Sequence, residues 1–355
     1  MSRIPKSRTN NIYNIASFIQ EKFNSDSNKL RAIFFFTANH IDYDVDNMYA
    51  VNFNEKTENK IEKVLHQRIG VCIHYSEVFN ALSKELVIES YVIEGMTKQN
   101  GQIDPMAHAW NAAKLAGKWY LFDATWAAGS VYQGKFIKKL DNNYYQAKPE
   151  KLVKSHYPFD YLWQFTNRPL NKANDFLYGR PSSYKQKIDY ESTLKNLKKL
   201  SDLEKLNEAI VRIEANGLIH GIIFDRYNHL KQSSTIISYN GAVADYNEAV
   251  KKCKEYINFR NAQFTPNRTD SELAQMIKAP KQFAEQASIK LQSIRNPDIS
   301  LGINLAGLKA SVADLEKNIL EQSKFVDSYI QTKPNKRKSL FYTKEVTTFR
   351  IPVKK

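Results

Sequence analysis

The sequence predicts an α+β domain, with a cysteine-bearing helix packed on an antiparallel sheet, followed by a mainly α-helical bundle. Three observations carry this. After Cys72, the residues Tyr75, Phe79, Leu82 and Leu86 recur at steps of 4, 3 and 4, the period of a helix with one apolar face. Residues 107–126, "AHAWNAAKLAGKWYLFDATW", read as two aromatic-rich strands around a short turn. From about residue 187 to 332 the chain becomes charged and helical in period, and all four tryptophans (Trp110, Trp119, Trp126, Trp163) precede that stretch.

This change of texture divides the chain into residues 1–180, residues 181–335 and a tail, 336–355. In the second part Leu194, Leu197, Leu200, Leu203 and Leu206 recur every third residue, and Ile210 and Ile213 continue the stripe. They predict one amphipathic helix. Two more helices are expected near 218–260 and 269–294, separated by "FTPNRTD", with Thr269 or Asp270 as N-cap. Leu301, Leu305, Leu308, Val312, Leu315 and Ile319 step by 4, 3, 4, 3 and 4, a coiled-coil-like seam. Four such segments predict an antiparallel bundle or a long hairpin arm, with the apolar stripes as core. In the tail, a basic turn is expected to lead into a strand holding Phe341, Thr343 and Val346.

Hydrophobic residues make up 42% of the 355 and aromatics 12%, enough for a sizeable core and against global disorder. No apolar run approaches the ~20 residues of a membrane-spanning helix. The start, "MSRIPKSRTNNIYNIASFIQEKF", lacks the apolar segment of a signal peptide. The formal net charge of +15 favours an anionic polymer or surface as partner, or else describes a lysine-rich solvated face. No nucleic-acid motif accompanies it. Two cysteines, Cys72 and Cys253, make no disulfide framework, and without a CxxC or a close His/Cys cluster no metal and no cofactor is expected.

Cys72 follows "RIGV", which reads as a turn with Gly70 free to take a positive φ. At the tip of a helix the positive end of the dipole favours a thiolate, which suits a nucleophile. The alternative is a small buried core residue. A thiolate nucleophile needs a base, and the base an orienting group. Pairing Leu115 with Lys118 places His108 opposite Thr125, with Asp123 its diagonal neighbour on the same face, about 7–8 Å away at the backbone. His108 and Asp123 also have plainer readings, as a core histidine and as a turn or cap residue. The remaining histidines, His40, His66, His156, His220 and His229, show no metal-type cluster and receive no chemistry.

The segments "GVCIHYSEVF" (70–79), "HAWNAAKLAGKWYLFDATW" (108–126) and "RAIFFFTANHIDYDVD" (31–46) together resemble the transglutaminase-like superfamily, in particular a bacterial branch similar to the kyphoscoliosis peptidase group. "HYPFDYLWQF" (156–165) resembles a closing segment of the bacterial members. The likeness covers roughly residues 3–170. It implies a papain-like fold, with Cys72 as nucleophile, His108 as general base and acid, and Asp123 as the orienting carboxylate. The implied chemistry is acyl transfer or amide or peptide hydrolysis through a thioester, on a protein or peptide substrate. A catalytically silent binding or scaffolding module on the same fold is the alternative. Where members often carry Gly-Tyr two and three residues past the cysteine, this chain has His74-Tyr75. His74, on the first helical turn, is a candidate substrate contact or a surface residue. The Cys72 N–H is the default oxyanion donor, with Gln67 as a weaker candidate. Tyr75, Trp110 and Trp126 are candidates to line the cleft, or core. The bacterial likeness also implies an exported mature chain, periplasmic or extracellular, with the cytoplasm as alternative.

Overall fold

The computed structural model describes residues 4–49, 55–170, 173–179, 186–295 and 299–343. They fall into two compact units that divide between Asn228 and His229.

The first unit begins with two helices, α1 (Ile12–Lys22) and α2 (Asp26–His40), capped by Asn11 and Ser25, whose side chains accept the N–H groups of Asn14 and Asn28. The chain then leaves α2 into a two-residue strand, β1 (Asp42–Tyr43). Helix α3 (Thr57–Gln67) ends at Arg68, and β2 (Ile69–Gly70) pairs in parallel with β1. The positive φ expected at Gly70 falls instead on Arg68, at 61°. Gly70 is required for space: a Cβ there would lie 2.9 Å from His74 Cβ and 2.9 Å from Val64 Cγ2. Helix α4 starts at Cys72 and runs to Glu85, and its apolar residues Tyr75, Phe79 and Leu82 are fully buried.

The antiparallel sheet follows. Strand β3 (Ser90–Gln99) is its centre and pairs with β4 (Gln102–Ile103) and β5 (His108–Leu115). Strand β6 (Lys118–Phe122) joins β5 with Leu115 opposite Lys118, the expected register. The connection is a two-residue turn in which Ala116 and Gly117 both have positive φ, which matches the twist of the strands. Strand β6 stops at Phe122, because Asp123 caps the short helix α5 (Ala124–Ala128). Thr125 is therefore helical and does not face His108 across the sheet. A separate hairpin, β7 (Gly129–Tyr132) and β8 (Lys135–Lys138), comes next. After α6 (Pro149–Leu152), strand β9 (His156–Pro158) adds to the free side of β3. A short helix, α7 (Ala173–Tyr178), follows.

The leucine stripe forms two helices, α8 (Tyr190–Leu197) and α9 (Asp202–Asn216), rather than one. A strict three-residue step drifts by about 60° per step around a helix with 3.6 residues per turn, so five leucines cannot share one face. The break is built by a capping box: Ser201 Oγ accepts the Glu204 N–H, and Glu204 Oε2 accepts the Ser201 N–H at 2.7 Å. Leu194 is buried with Ile93 and Trp110 of the sheet. Helix α9 grips β9 and the segment after it: Arg212 Nε donates to both oxygens of Asp160 at 2.9 Å, and Asn216 Oδ1 accepts the Tyr157 hydroxyl at 2.9 Å.

Helix α10 (Gly221–Asn261) extends into the second unit, which also contains α11 (Asp270–Ser293) and α12 (Leu305–Gln331). Thr269 caps α11, as expected. Cys253, Tyr256, Leu273, Leu315, Ile319 and Phe325 lie in one apolar core. The expected seam starts late, since Leu301 sits in a 3-10 turn before α12. Where a basic turn and a strand were expected, Pro334–Ser339 is a 3-10 helix and α13 (Leu340–Thr343) is α-helical. The reason is packing: the Phe341 ring lies 5.5 Å from those of Phe264 and Phe325. Val346 lies outside the described residues. Among the described residues, no helix is long and apolar enough to cross a membrane.

Candidate active site

The site is assembled from the start of α4, the start of β5 and the end of β6. Helix α4 is pinned on two sides, since the Tyr75 hydroxyl donates to Ile41 O at 2.8 Å and Asn111 Nδ2 donates to Ser76 O at 2.9 Å. These bonds hold the half-exposed Cys72 against the strand that begins with His108. The hairpin register then brings His108 and Asp123 together: His108 Nε2–H donates to Asp123 Oδ2 at 2.7 Å. Cys72 interacts with the same imidazole, for which Nδ1 remains.

Asp123 is fully buried, and both its oxygens are used. Oδ1 accepts the backbone N–H groups of Thr125 and Trp126, each at 2.9 Å. So the cap reading and the histidine-partner reading of Asp123 are both true, one for each oxygen. Oδ2 accepts a second imidazole, His156 Nε2–H, at 3.0 Å.

The sequence assigns His156 no chemistry and predicts no cluster for the remaining histidines; the structure overturns this, because β9 carries His156 to the His108–Asp123 pair. His108, Asp123 and His156 lie with their ligating atoms within 4.8 Å of one another, and all three are buried. These are the residues that could hold a metal ion. Two N–H donors at hydrogen-bond length on one carboxylate oxygen already account for the arrangement. In the sequence, His156 stands at the head of "HYP", a three-residue strand whose partner no local pattern specifies. The only signal was its place at the start of the closing segment.

The other candidates separate cleanly. His74 turns back on the helix start, and its Nδ1 accepts the Val71 N–H at 3.0 Å. It caps α4, which gives this residue a structural task. Tyr75 and Trp110 are buried to within about one percent, so neither lines an open cleft. The half-buried Trp126 does face the site, its ring 5.6 Å from that of His108. Gln67 ends α3 with an exposed side chain. The Cys72 N–H is the first of α4, where a helix provides no carbonyl acceptor of its own.

Burial works against charge at both partners, yet each is held charged by the other. Desolvation pulls the His108 imidazole down, but the Asp123 charge, its hydrogen bond and Cys72 outweigh this and push it up to about 10. Desolvation raises Asp123, and the two imidazoles overcome it and hold the carboxyl well below its ordinary range. Burial keeps His156 below the usual histidine value despite Asp123. Opposite pH dependences follow. His108 binds its proton more tightly when folded, so its contribution to stability is full below 6.5 and is lost as pH rises through about 10. That of Asp123 is full above 3.8 and is lost as pH falls through its lowered folded value. All four tryptophans lie in the first unit, so fluorescence melts follow that unit. Their midpoint is expected to fall steadily from about pH 7 to pH 10, and His108→Gln should flatten that slope. A wild-type midpoint independent of pH over this range would contradict the assignment.

A helix-tip cysteine, a histidine opening a strand and an aspartate ending the next strand define a class. Residues 14–124 match the model of the transglutaminase-like superfamily, and the chain carries a domain of that superfamily. Among curated proteins it is similar to the kyphoscoliosis peptidase of Mus musculus, 27% identical over 180 residues, which are 48% of this chain and 27% of that protein. The match therefore spans only about a quarter of that relative. Among solved structures, a candidate cysteine protease from Cytophaga hutchinsonii is 24% identical, covering 33% of this chain and 39% of the other, with a TM-score of 0.26. A crystal structure described as a TGase is 20% identical, covering 38% and 36%, with a TM-score of 0.26.

Proposed function

We propose that this chain is a cysteine acyl-transfer enzyme acting on the amide bonds of a protein or peptide. The observation that supports it is a single imidazole, His108, placed between a half-exposed sulfur and a buried carboxylate 2.7 Å away. In this reading Asp123 orients His108 and stabilises its charged form, and His108 keeps Cys72 as thiolate. The sulfur attacks the amide carbonyl carbon and a C–S bond forms. The oxyanion meets the Cys72 N–H at the helix tip. His108 gives its proton to the departing nitrogen as the C–N bond breaks, which leaves a thioester. Water or a second amine then attacks the thioester, His108 takes the incoming proton, and the C–S bond breaks. With water the outcome is hydrolysis, and with an amine it is transamidation.

Competitive alkylation tests the reading. Cys253 is fully buried and its thiol is pushed up to about 11 by burial, so it serves as an internal slow reference. Iodoacetamide is expected to label Cys72 at least tenfold faster than Cys253 at neutral pH. A thiol-directed activity probe should label the wild type and leave Cys72→Ala unlabelled. Equal, slow labelling of both cysteines would favour a silent binding module instead. An amine and peptide library on the labelled-competent protein then separates hydrolysis from transfer.

A further inference from the structure

We infer that His156 is a positioning residue of this site, holding the Asp123 carboxylate against His108, so that four side chains rather than three make up the working unit. The inference rests on the acyl-transfer reading above and adds a member to it.

Topology brings the two imidazoles together. On the central strand β3, Gly95 lies opposite His108 of β5 and Thr97 lies opposite His156 of β9. Residues two apart on a strand share a face, and so do directly opposed residues. Both histidines therefore rise from the same face, on either side of β3, and their rings converge to 5.7 Å. Gly95 permits this approach, since a Cβ there would collide with Tyr157 O of β9 and crowd the Trp110 indole.

Donors and acceptors then close on Asp123. With two backbone N–H groups on Oδ1 and two imidazole N–H groups on Oδ2, the carboxylate has no orientation that keeps all four bonds except the observed one. Without His156, Oδ2 of the fully buried Asp123 would keep a single partner, and the carboxylate could turn. The Asp123 carboxylate can only accept, so the ring proton toward it stands on Nε2, while Nδ1 lies 2.9 Å from the Ser155 hydroxyl oxygen on the other side. The strand is itself anchored, since the neighbouring Tyr157 hydroxyl is bound by Asn216 and Asp160 by Arg212. His156 is only 1% exposed, packed edge-on against Trp110 at 5.1 Å and Trp126 at 4.6 Å. It does not reach a substrate and acts only through Asp123.

The test uses the full chain as wild type, Cys72→Ala, His156→Gln and His156→Leu. Cys72 alkylation rates are read by peptide mass spectrometry across pH, beside fluorescence melts. A glutamine carboxamide can place an N–H where Nε2 stands, and leucine cannot. His156→Leu is expected to alkylate about ten- to a hundredfold more slowly at neutral pH, with a displaced pH profile, the loss of one hydrogen bond to a charged group. His156→Gln should recover most of the rate. Wild-type rate and profile in His156→Leu would overturn the role of His156 alone. So would a glutamine variant as slow as the leucine one, which would mean simple packing. If His156→Leu does not melt cooperatively, His156→Asn replaces it, since its shorter side chain leaves the amide short of Asp123. Glutamine should then outpace asparagine, and equal rates would overturn the role. A wild-type Cys72 no faster than Cys253 would overturn the acyl-transfer reading, and this inference with it.

Discussion

Asp123→Asn is expected to lower Cys72 reactivity and any acyl transfer by roughly a hundred- to ten-thousandfold while leaving a folded protein. The amide oxygen can take over the cap, accepting the Thr125 and Trp126 N–H groups that Oδ1 holds now. Its NH2 then points at two imidazole donors, His108 and His156, which need an acceptor. One of them must flip or turn away. Asp123→Ala should do more damage to the fold. It removes the cap, worth about 1 kcal/mol, and leaves two buried imidazoles without the charge that holds them. Breaking a buried charged pair from one side costs about 3–5 kcal/mol. The measurement is a pair of alkylation rates with a pair of fluorescence melts. Wild-type reactivity in Asp123→Asn would show that the carboxylate has no part in activating the sulfur.

Gly95→Ala is the second large effect, and it comes from a single methyl group. An added Cβ would stand 2.1 Å from Tyr157 O, 2.7 Å from Trp110 Cη2 and 2.8 Å from Pro158 Cα. Two of these neighbours are backbone, so no flexible side-chain tip can give way. Strand β9 must lift from β3, and His156 leaves Asp123 with it. Overpacking of this kind costs about 1–3 kcal/mol. The first unit is expected to melt several degrees lower, and backbone amides along β9 should exchange faster with solvent. An unchanged melt would mean that the sheet absorbs the methyl by a shift of its own.

How far the sequence carried this picture depends on the range of the interactions. The α4 start and the β5–β6 register were both readable, because each is fixed by neighbours a few residues away. A helical apolar period locates the first, and a two-residue turn sets every pair of the second. The meeting of Cys72, His108 and Asp123 was also inferable, since one hairpin holds two of them. His156 was not. Its strand is three residues long and reaches β3 from about sixty residues downstream, and nothing local names that partner. The leucine stripe misleads for a related reason: regular spacing implies one continuous helix, while the Ser201–Glu204 capping box starts a new one. In the tail, β-forming residue types lost to the aromatic packing around Phe341.

The order of strands also bears on where this chain can be cut. A fragment ending at residue 124, the limit of the superfamily match, would retain Cys72, His108 and Asp123. It would lack β9, and β3 would be left with unpaired N–H and C=O groups from Glu94 to Lys98 on one side. Such an open margin is a template for pairing with a second molecule. A minimal version trimmed to the matched segment is thus set to self-associate. One that stays monomeric needs the polypeptide at least through Pro158, with α9 retained to clamp it.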